Sequence, residues 1–155
     1  MARTPDIETE WQQFETLTTG RLYQLLRFRQ SIFVVEQDSP YLDLDDLDQS
    51  AWHLSAWTKG ELVGCLRMVP IPGPLPWVRI GRVAVAADLR GRGIGRIMMI
   101  EALAFCGNRY PRQPIVLGAQ VRLVRFYEGF GFVTTSGTYE DFGVEHVEMT
   151  LTPAG

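Results

Sequence analysis

The chain has 155 residues, 46% of them apolar and 21% charged, a balance that suits one globular core and excludes a disordered or fibrous chain. Its formal net charge of −3 lacks the basic face that phosphate backbones demand, which excludes nucleic acid as the main partner. The basic side chains are arginines apart from Lys59, and the planar guanidinium favours carboxylates and phosphates.

The opening segment, Met1 to Glu10, is acidic and has no apolar centre, so it does not read as a signal peptide. From Arg21 to Val34 the apolar residues Leu22, Leu25, Leu26, Phe28, Ile32 and Phe33 recur near helical spacing and predict an amphipathic helix. Gln37 to Gln49 is rich in aspartate and broken by Pro40, which predicts a loop. Trp52–Trp57 and Leu62–Val69 read as antiparallel strands around a Lys59-Gly60 turn, and the prolines from Pro70 to Pro76 are expected to interrupt pairing. Trp77–Ala86 reads as a strand that runs into the glycine-rich Leu89–Gly95. A helix then carries Ile97, Met98, Ile100, Ala102, Leu103 and Phe105 and is expected to stop by Gly107-Asn108. Ile115–Leu117 is a short strand, Val121–Phe130 a second amphipathic helix, and Val144–Leu151 a closing strand. The order is mixed α/β, in one domain over residues 1–155. No run is long and apolar enough to span a bilayer, and Cys65 and Cys106 form no C-x-x-C pair. The expectation is therefore a reduced cytoplasmic protein with no membrane and no metal site.

Arg90-Gly91-Arg92-Gly93-Ile94-Gly95 lies between a strand and a helix, where unpaired N–H groups and the helix dipole can hold a phosphate. A P-loop is excluded, because Arg96-Ile97 stand where Gly-Lys-Ser/Thr would begin. A dinucleotide fingerprint is excluded as well, since Arg96 occupies the third glycine position after Gly91 and Gly93.

What the residues do match is Arg90-x-x-Gly93-x-Gly95 after a strand, which resembles the pyrophosphate loop of the GCN5-related N-acetyltransferases. Gln120 and Phe126-Tyr127-x-x-x-Gly131-Phe132 resemble that family's later segment in spacing and order, with glutamine in place of the commoner asparagine. Upstream, Phe33 to Gln37, Pro40-Tyr41, Asp43-x-Asp45, His53, Arg67 and Ile80 to Val83 are similar to its ElaA-type branch. The resemblance implies a central mixed sheet flanked by helices, with acetyl-coenzyme A as co-substrate and no metal. It implies coenzyme contacts from Val83, Ala84 and Val85, from Arg90 through Arg92, Gly93, Ile94 and Gly95 to Arg96, and from Gln120 and Phe126. Tyr127 would protonate the leaving thiolate. Phe33, Tyr41, Asp43 and Asp45 would border a small-molecule or peptide amine, and the resemblance is compatible with a homodimer.

For the general base the sequence leaves Glu36, His53, Glu148 and a water relay open; histidine has the most suitable ordinary pKa, about 6.5. The alternative for Asp43 and Asp45 is an ion-pair network with Arg67 and Arg82. Two other functions stay open at this point: an acyl-homoserine-lactone-synthase-like acyltransferase, which Arg29, Phe33, Glu36 and the Asp43/Asp45 pair faintly resemble, and a non-catalytic acyl-coenzyme A sensor.

Overall fold

The computed structural model describes residues 3–154. Eleven elements of regular structure follow in the order β1 (Glu8–Gln13), α1 (Thr19–Gln30), β2 (Trp52–Thr58), β3 (Glu61–Ile71), β4 (Trp77–Val85), α2 (Ile94–Arg109), β5 (Ile115–Gln120), α3 (Val124–Glu128), β6 (Val133–Thr134), β7 (Tyr139–Asp141) and β8 (Val144–Leu151). They build one mixed sheet in the order β1-β2-β3-β4-β5-β8-β6, with β7 also on β8. All pairs are antiparallel except β4 with β5, which α2 connects. Parallel neighbours need such a crossover.

Strand alternation sends the two faces of the sheet to different tasks. Leu54, Leu66, Met68, Val78, Ile80, Leu117, Val147 and Met149 pack with Met98, Met99 and Ala102 of α2 in the main core. Cys65 and Ala84 meet Leu25 and Ile32 on the side that α1 covers. On that second face the sequence also places charge: Arg67 on β3, Arg79 on β4, and His146 and Glu148 on β8.

Several boundaries differ from the sequence expectation. The first helix begins at Thr19, with the Thr18 side chain accepting from the Arg21 N–H, and after Gln30 it widens into a π-helical turn over Ser31–Glu36. The Pro70–Pro76 stretch does not end pairing at once, since Pro70 and Ile71 still face Val78 and Trp77. Helix α2 passes through Gly107 and Asn108 to Arg109, because packing of the Cys106 turn outweighs their weak helix propensity. The expected helix over Val121–Phe130 is a 3₁₀ turn, Val121–Leu123, followed by the short α3.

The aspartate-rich segment is held by ion pairs on the charged face. Arg29 of α1 reaches Asp43 Oδ2 at 2.9 Å and Asp48 Oδ1 at 2.6 Å. Arg67 bonds both carboxylate oxygens of Asp45 and also Asp48, the last at 3.0 Å. Arg82 bonds Asp43 Oδ1 at 2.8 Å and Asp45 Oδ2 at 3.3 Å. Three guanidinium groups thus face three carboxylates in a cluster with no net charge. Asp43 and Asp48 are buried, while Leu42 and Leu44 on either side of Asp43 are exposed.

This cluster sets the acid stability of the fold. Burial alone would raise the Asp45 carboxyl, but hydrogen bonds and charge from Arg67 more than reverse it and hold it at about 2. His53 is shifted down chiefly by burial, against the opposing hydrogen bond and charge of Asp48, with smaller help from the charges of Arg29 and Arg67. Both depressed values mean that the unfolded chain binds the proton more readily. The His53 contribution is present above about pH 6.5 and is lost below it; that of Asp45 is present above about pH 4 and is lost as pH falls toward 2. The melting temperature should therefore drop between pH 7 and 5.5, and His53→Gln, which keeps a donor to the Asp48 carbonyl, should flatten that drop. An unchanged slope in the variant would show that His53 is not the group taking the proton.

Candidate active site

The site opens where β4 and β5 part. Their parallel ladder covers Val78↔Ile115, Arg79↔Val116 and Ile80↔Leu117, and then stops. Beyond it Gly81–Val85 and Gly118–Gln120 run on unpaired with each other, so β4 turns a row of backbone N–H and C=O groups into the gap. A register shift against β3 between Cys65 and Arg67 gives β4 an extra residue there, and Arg82 takes a left-handed φ of 51°. Such a bulge bends and twists its strand, widening the wedge.

Two cavities meet in that wedge. One, of about 380 Å³, runs along Val83–Val85 and the glycine-rich turn to the start of α2. The other, of about 350 Å³, lies over the charged face of the sheet, walled by Val69, Ile71, Leu117, Arg79, Arg82, Asp141, Phe142 and His146. Phe33, Gln37, Val83, Gln120, Leu123 and Tyr127 border both.

The first cavity has the features of an anion cradle. Gly93 caps α2 with φ 88°, a conformation that glycine adopts without penalty. The first turn of this 16-residue helix contains Arg96 and no acid, so its dipole is uncompensated at the cavity wall. At Gly95 a methyl group would meet Phe126 Cζ at 3.6 Å and Val85 Cγ2 at 3.9 Å, which is ordinary contact. Alanine therefore fits at 95, whereas any side chain at 93 is strained by the backbone.

The wall of this cavity brings together Val83, Ala84, Val85, Arg90, Gly91, Gly93, Ile94, Gly95, Arg96, Gln120 and Phe126, all candidates from the sequence. Arg92 is the exception: it lines a neighbouring surface hollow with Arg21 and Lys59. Arg90 spans the rim, bonding Glu36 through Nη1 at 2.6 Å and Nη2 at 2.9 Å and the Val85 carbonyl through Nε at 3.0 Å.

Tyr127 sits at the junction of the two cavities, held by edge contacts with Phe126 and Phe132 at 5.0 and 6.2 Å. Its residue is 5% exposed, and burial pushes the phenol up to about 12, so it keeps its proton at neutral pH. Its hydroxyl has no protein hydrogen-bond partner among the described residues, yet it is not a sealed polar atom.

The structure corrects the candidates for the base. His53 borders neither cavity; it is 2% exposed, and its Nε2 donates to the Asp48 carbonyl at 2.9 Å. Its place on β2 puts it under the ion-pair cluster rather than in the wedge. Glu36 does line the first cavity, but both its oxygens are taken by Arg90. Glu148 accepts from Arg79 at 2.8 and 3.2 Å and from the Tyr139 hydroxyl at 2.8 Å, which leaves it no free role.

The acceptor-side candidates divide similarly. Phe33 and Asp45 line the second cavity, but the Asp45 carboxylate is bound by Arg67 and Arg82. Asp43 is buried between Arg29 and Arg82 and stays off both cavity walls, so its charge is spent within the fold. Tyr41 is exposed and edge-on to Phe142 at 5.8 Å, outside both cavities. Sequence reasoning missed His146, Leu123 and Phe142. Of these, His146 alone had a signal, as the second histidine of the chain in an alternating strand.

Among the described residues no helix is long and apolar enough to cross a membrane, and no group of three or more metal-binding side chains occurs.

Comparison with known proteins agrees with this geometry. The family model of the acetyltransferase (GNAT) domain matches residues 27–153. Protein ElaA of Escherichia coli is 40% identical over 144 residues, covering 90% of this chain and 94% of that one. The crystal structure of Escherichia coli ElaA superposes with a TM-score of 0.88 at 37% identity, over 94% of this chain and 99% of its own. An acyl-CoA N-acyltransferase from Pseudomonas aeruginosa also superposes with a TM-score of 0.88, at 33% identity over 94% of this chain and 99% of its own. With a matching domain and an ElaA relative across most of its length in both sequence and structure, this chain belongs to the GCN5-related N-acetyltransferase (GNAT) family, in its ElaA-like branch.

Proposed function

We propose that the protein moves an acetyl group from acetyl-coenzyme A to a primary amine of a small molecule or peptide, by direct attack in a ternary complex. The observation that carries this reading is the meeting of two cavities at one unpartnered tyrosine hydroxyl. A phosphate-binding turn feeds one cavity. The other is a separate chamber suited to an acceptor, and transfer requires both reactants to be held at one point.

In this reading the pyrophosphate of the coenzyme lies over Gly91 to Arg96 at the α2 N-terminus. The thioester enters the wedge, where backbone N–H groups of Val83 to Val85 stabilise the carbonyl oxygen as it gains charge; one such donor is worth about 10² to 10³ in rate. Gln120 steadies the acyl arm from the facing strand. Tyr127 gives its proton to the departing sulfur. No metal takes part, because the thioester is already activated toward amines.

Gly93→Val is expected to weaken coenzyme A binding at least about tenfold, since a branched side chain combines left-handed strain with blocked approach. Gly95→Ala should bind normally. The pair is read by calorimetry on variants whose circular dichroism matches the wild type. Equal affinity in folded Gly93→Val would remove the turn from the site.

The function itself is tested by thiol release from acetyl-coenzyme A in the presence of a panel of alkylamines and peptides. Release that depends on an amine is expected. Tight coenzyme binding with no release for any amine would instead identify a sensor.

A further inference from the structure

We propose that His146 is the general base that takes the proton from the acceptor amine, a role that rests on the acetyl-transfer reading above. The residue is 9% exposed and lies in the wall of the acceptor cavity, which Tyr127 also borders. On β8 it stands directly across from Gln120 of β5, a residue of the junction between the cavities.

The tautomer follows from a hydrogen bond. His146 Nδ1 lies 2.8 Å from the Val144 carbonyl, which can only accept, so Nδ1 carries the N–H. The neutral ring then has its lone pair on Nε2. Stacking on Tyr139, with centroids 5.9 Å apart and planes 24° from parallel, fixes the ring's orientation.

Most of the surrounding charges are already paired. Glu148 is held by Arg79 and Tyr139. Arg82 is held by Asp43, and Asp45 by Arg67. Asp141, at the end of β7, is the remaining acid of the cavity wall and has no ion pair among the described residues, so it favours entry of a cation. Among the described residues His146 is thus the one imidazole in the wall of this chamber, and Asp141 is the one acid there outside the ion pairs.

His146 Nε2 removes one proton from R–NH₃⁺, and the freed lone pair forms the C–N bond while the carbonyl π pair moves to oxygen. The pair returns, the C–S bond breaks, and sulfur takes the Tyr127 proton. The nitrogen, still R–NH₂⁺–, passes a proton to the Tyr127 phenolate through cavity water, and the imidazolium releases its own to solvent. The products are the amide, free coenzyme A and one proton.

The test compares His146→Gln with the wild type on two acceptors: an alkylamine, protonated at neutral pH, and a hydrazide, already neutral there. For the alkylamine, kcat/KM should fall about 10²- to 10⁴-fold. For the hydrazide the loss should be under about tenfold, since no first proton has to be removed. Coenzyme Kd should not change, and His146→Ala should regain alkylamine activity with added imidazole. A merely structural histidine would affect both acceptors alike. Equal losses on the two acceptors would overturn the assignment. Absence of amine-dependent turnover in the wild type would instead defeat the acetyl-transfer reading on which it stands.

Discussion

Tyr127→Phe is expected to lower kcat by about 10- to 10³-fold at saturating amine, while leaving coenzyme affinity nearly unchanged. The substitution removes one oxygen and nothing else. That oxygen has no protein partner among the described residues, so its loss strands no donor or acceptor there, and the aromatic contacts with Phe126 and Phe132 persist. Stability should therefore stay within about 1 kcal/mol of the wild type. Under the proposed acid role the effect on rate follows because the phenol, pushed up to about 12 by burial, keeps a proton to give where a thiolate would otherwise leave uncompensated. Water at the junction can substitute in part, which keeps the effect below the ceiling for general-acid catalysis. A folded variant with unchanged kcat, measured where chemistry limits turnover, would show that the hydroxyl is only a wall of the cavity.

Arg29→Leu is expected to cost about 3–5 kcal/mol of stability, a large share of the roughly 5–15 kcal/mol that holds a domain together. Arg29 is 1% exposed and bonds both Asp43 and Asp48, so its removal leaves the buried cluster with two guanidinium groups against three carboxylates. An excess charge with no access to water is the expensive outcome. Arg29→Lys keeps the charge but not the two-ended geometry, and it should fall between the leucine variant and the wild type. Urea midpoints report both. Salt up to 0.5 M should move these midpoints little, because buried pairs are weakly screened, in contrast to a solvated acidic loop. A cost under about 1 kcal/mol for Arg29→Leu would return the aspartates to that solvated reading.

The contrast between these residues shows what the sequence made legible. The turn from Arg90 to Gly95 and the Phe126-Tyr127 pair are local motifs, and local spacing suffices to place them on a strand-loop-helix unit and near a helix end. Strand β1 was missed because Glu8–Gln13 is an edge strand with Trp11 as its one large apolar residue, so it shows little alternation. The short β6 and β7 offer too few residues for any period. The aspartate run looked like a field for cations, since charge alone does not reveal partners 14 to 39 residues away. Those partners, Arg29, Arg67 and Arg82, lie on three different elements that converge only when α1 packs across the sheet. His53 and His146 were separated by the same kind of information: both lie on strands, but one is buried beneath the ion-pair cluster and the other borders the cavity over the charged face of the sheet. The cavity itself depends on where β4 and β5 stop pairing, a matter of register and of the bulge at Arg82 rather than of residue type.

The central claim, direct acetyl transfer at the meeting of two cavities, is tested most directly by following a labelled acetyl group. The protein would be mixed with carbon-13-labelled acetyl-coenzyme A and an alkylamine, quenched within one turnover, and both the amine and the intact protein weighed by mass spectrometry. The label is predicted on the amine nitrogen in equal amount to the free coenzyme A formed, with none on the protein. Label appearing on the protein before the amine, or as free acetate at a rate indifferent to the amine, would contradict it.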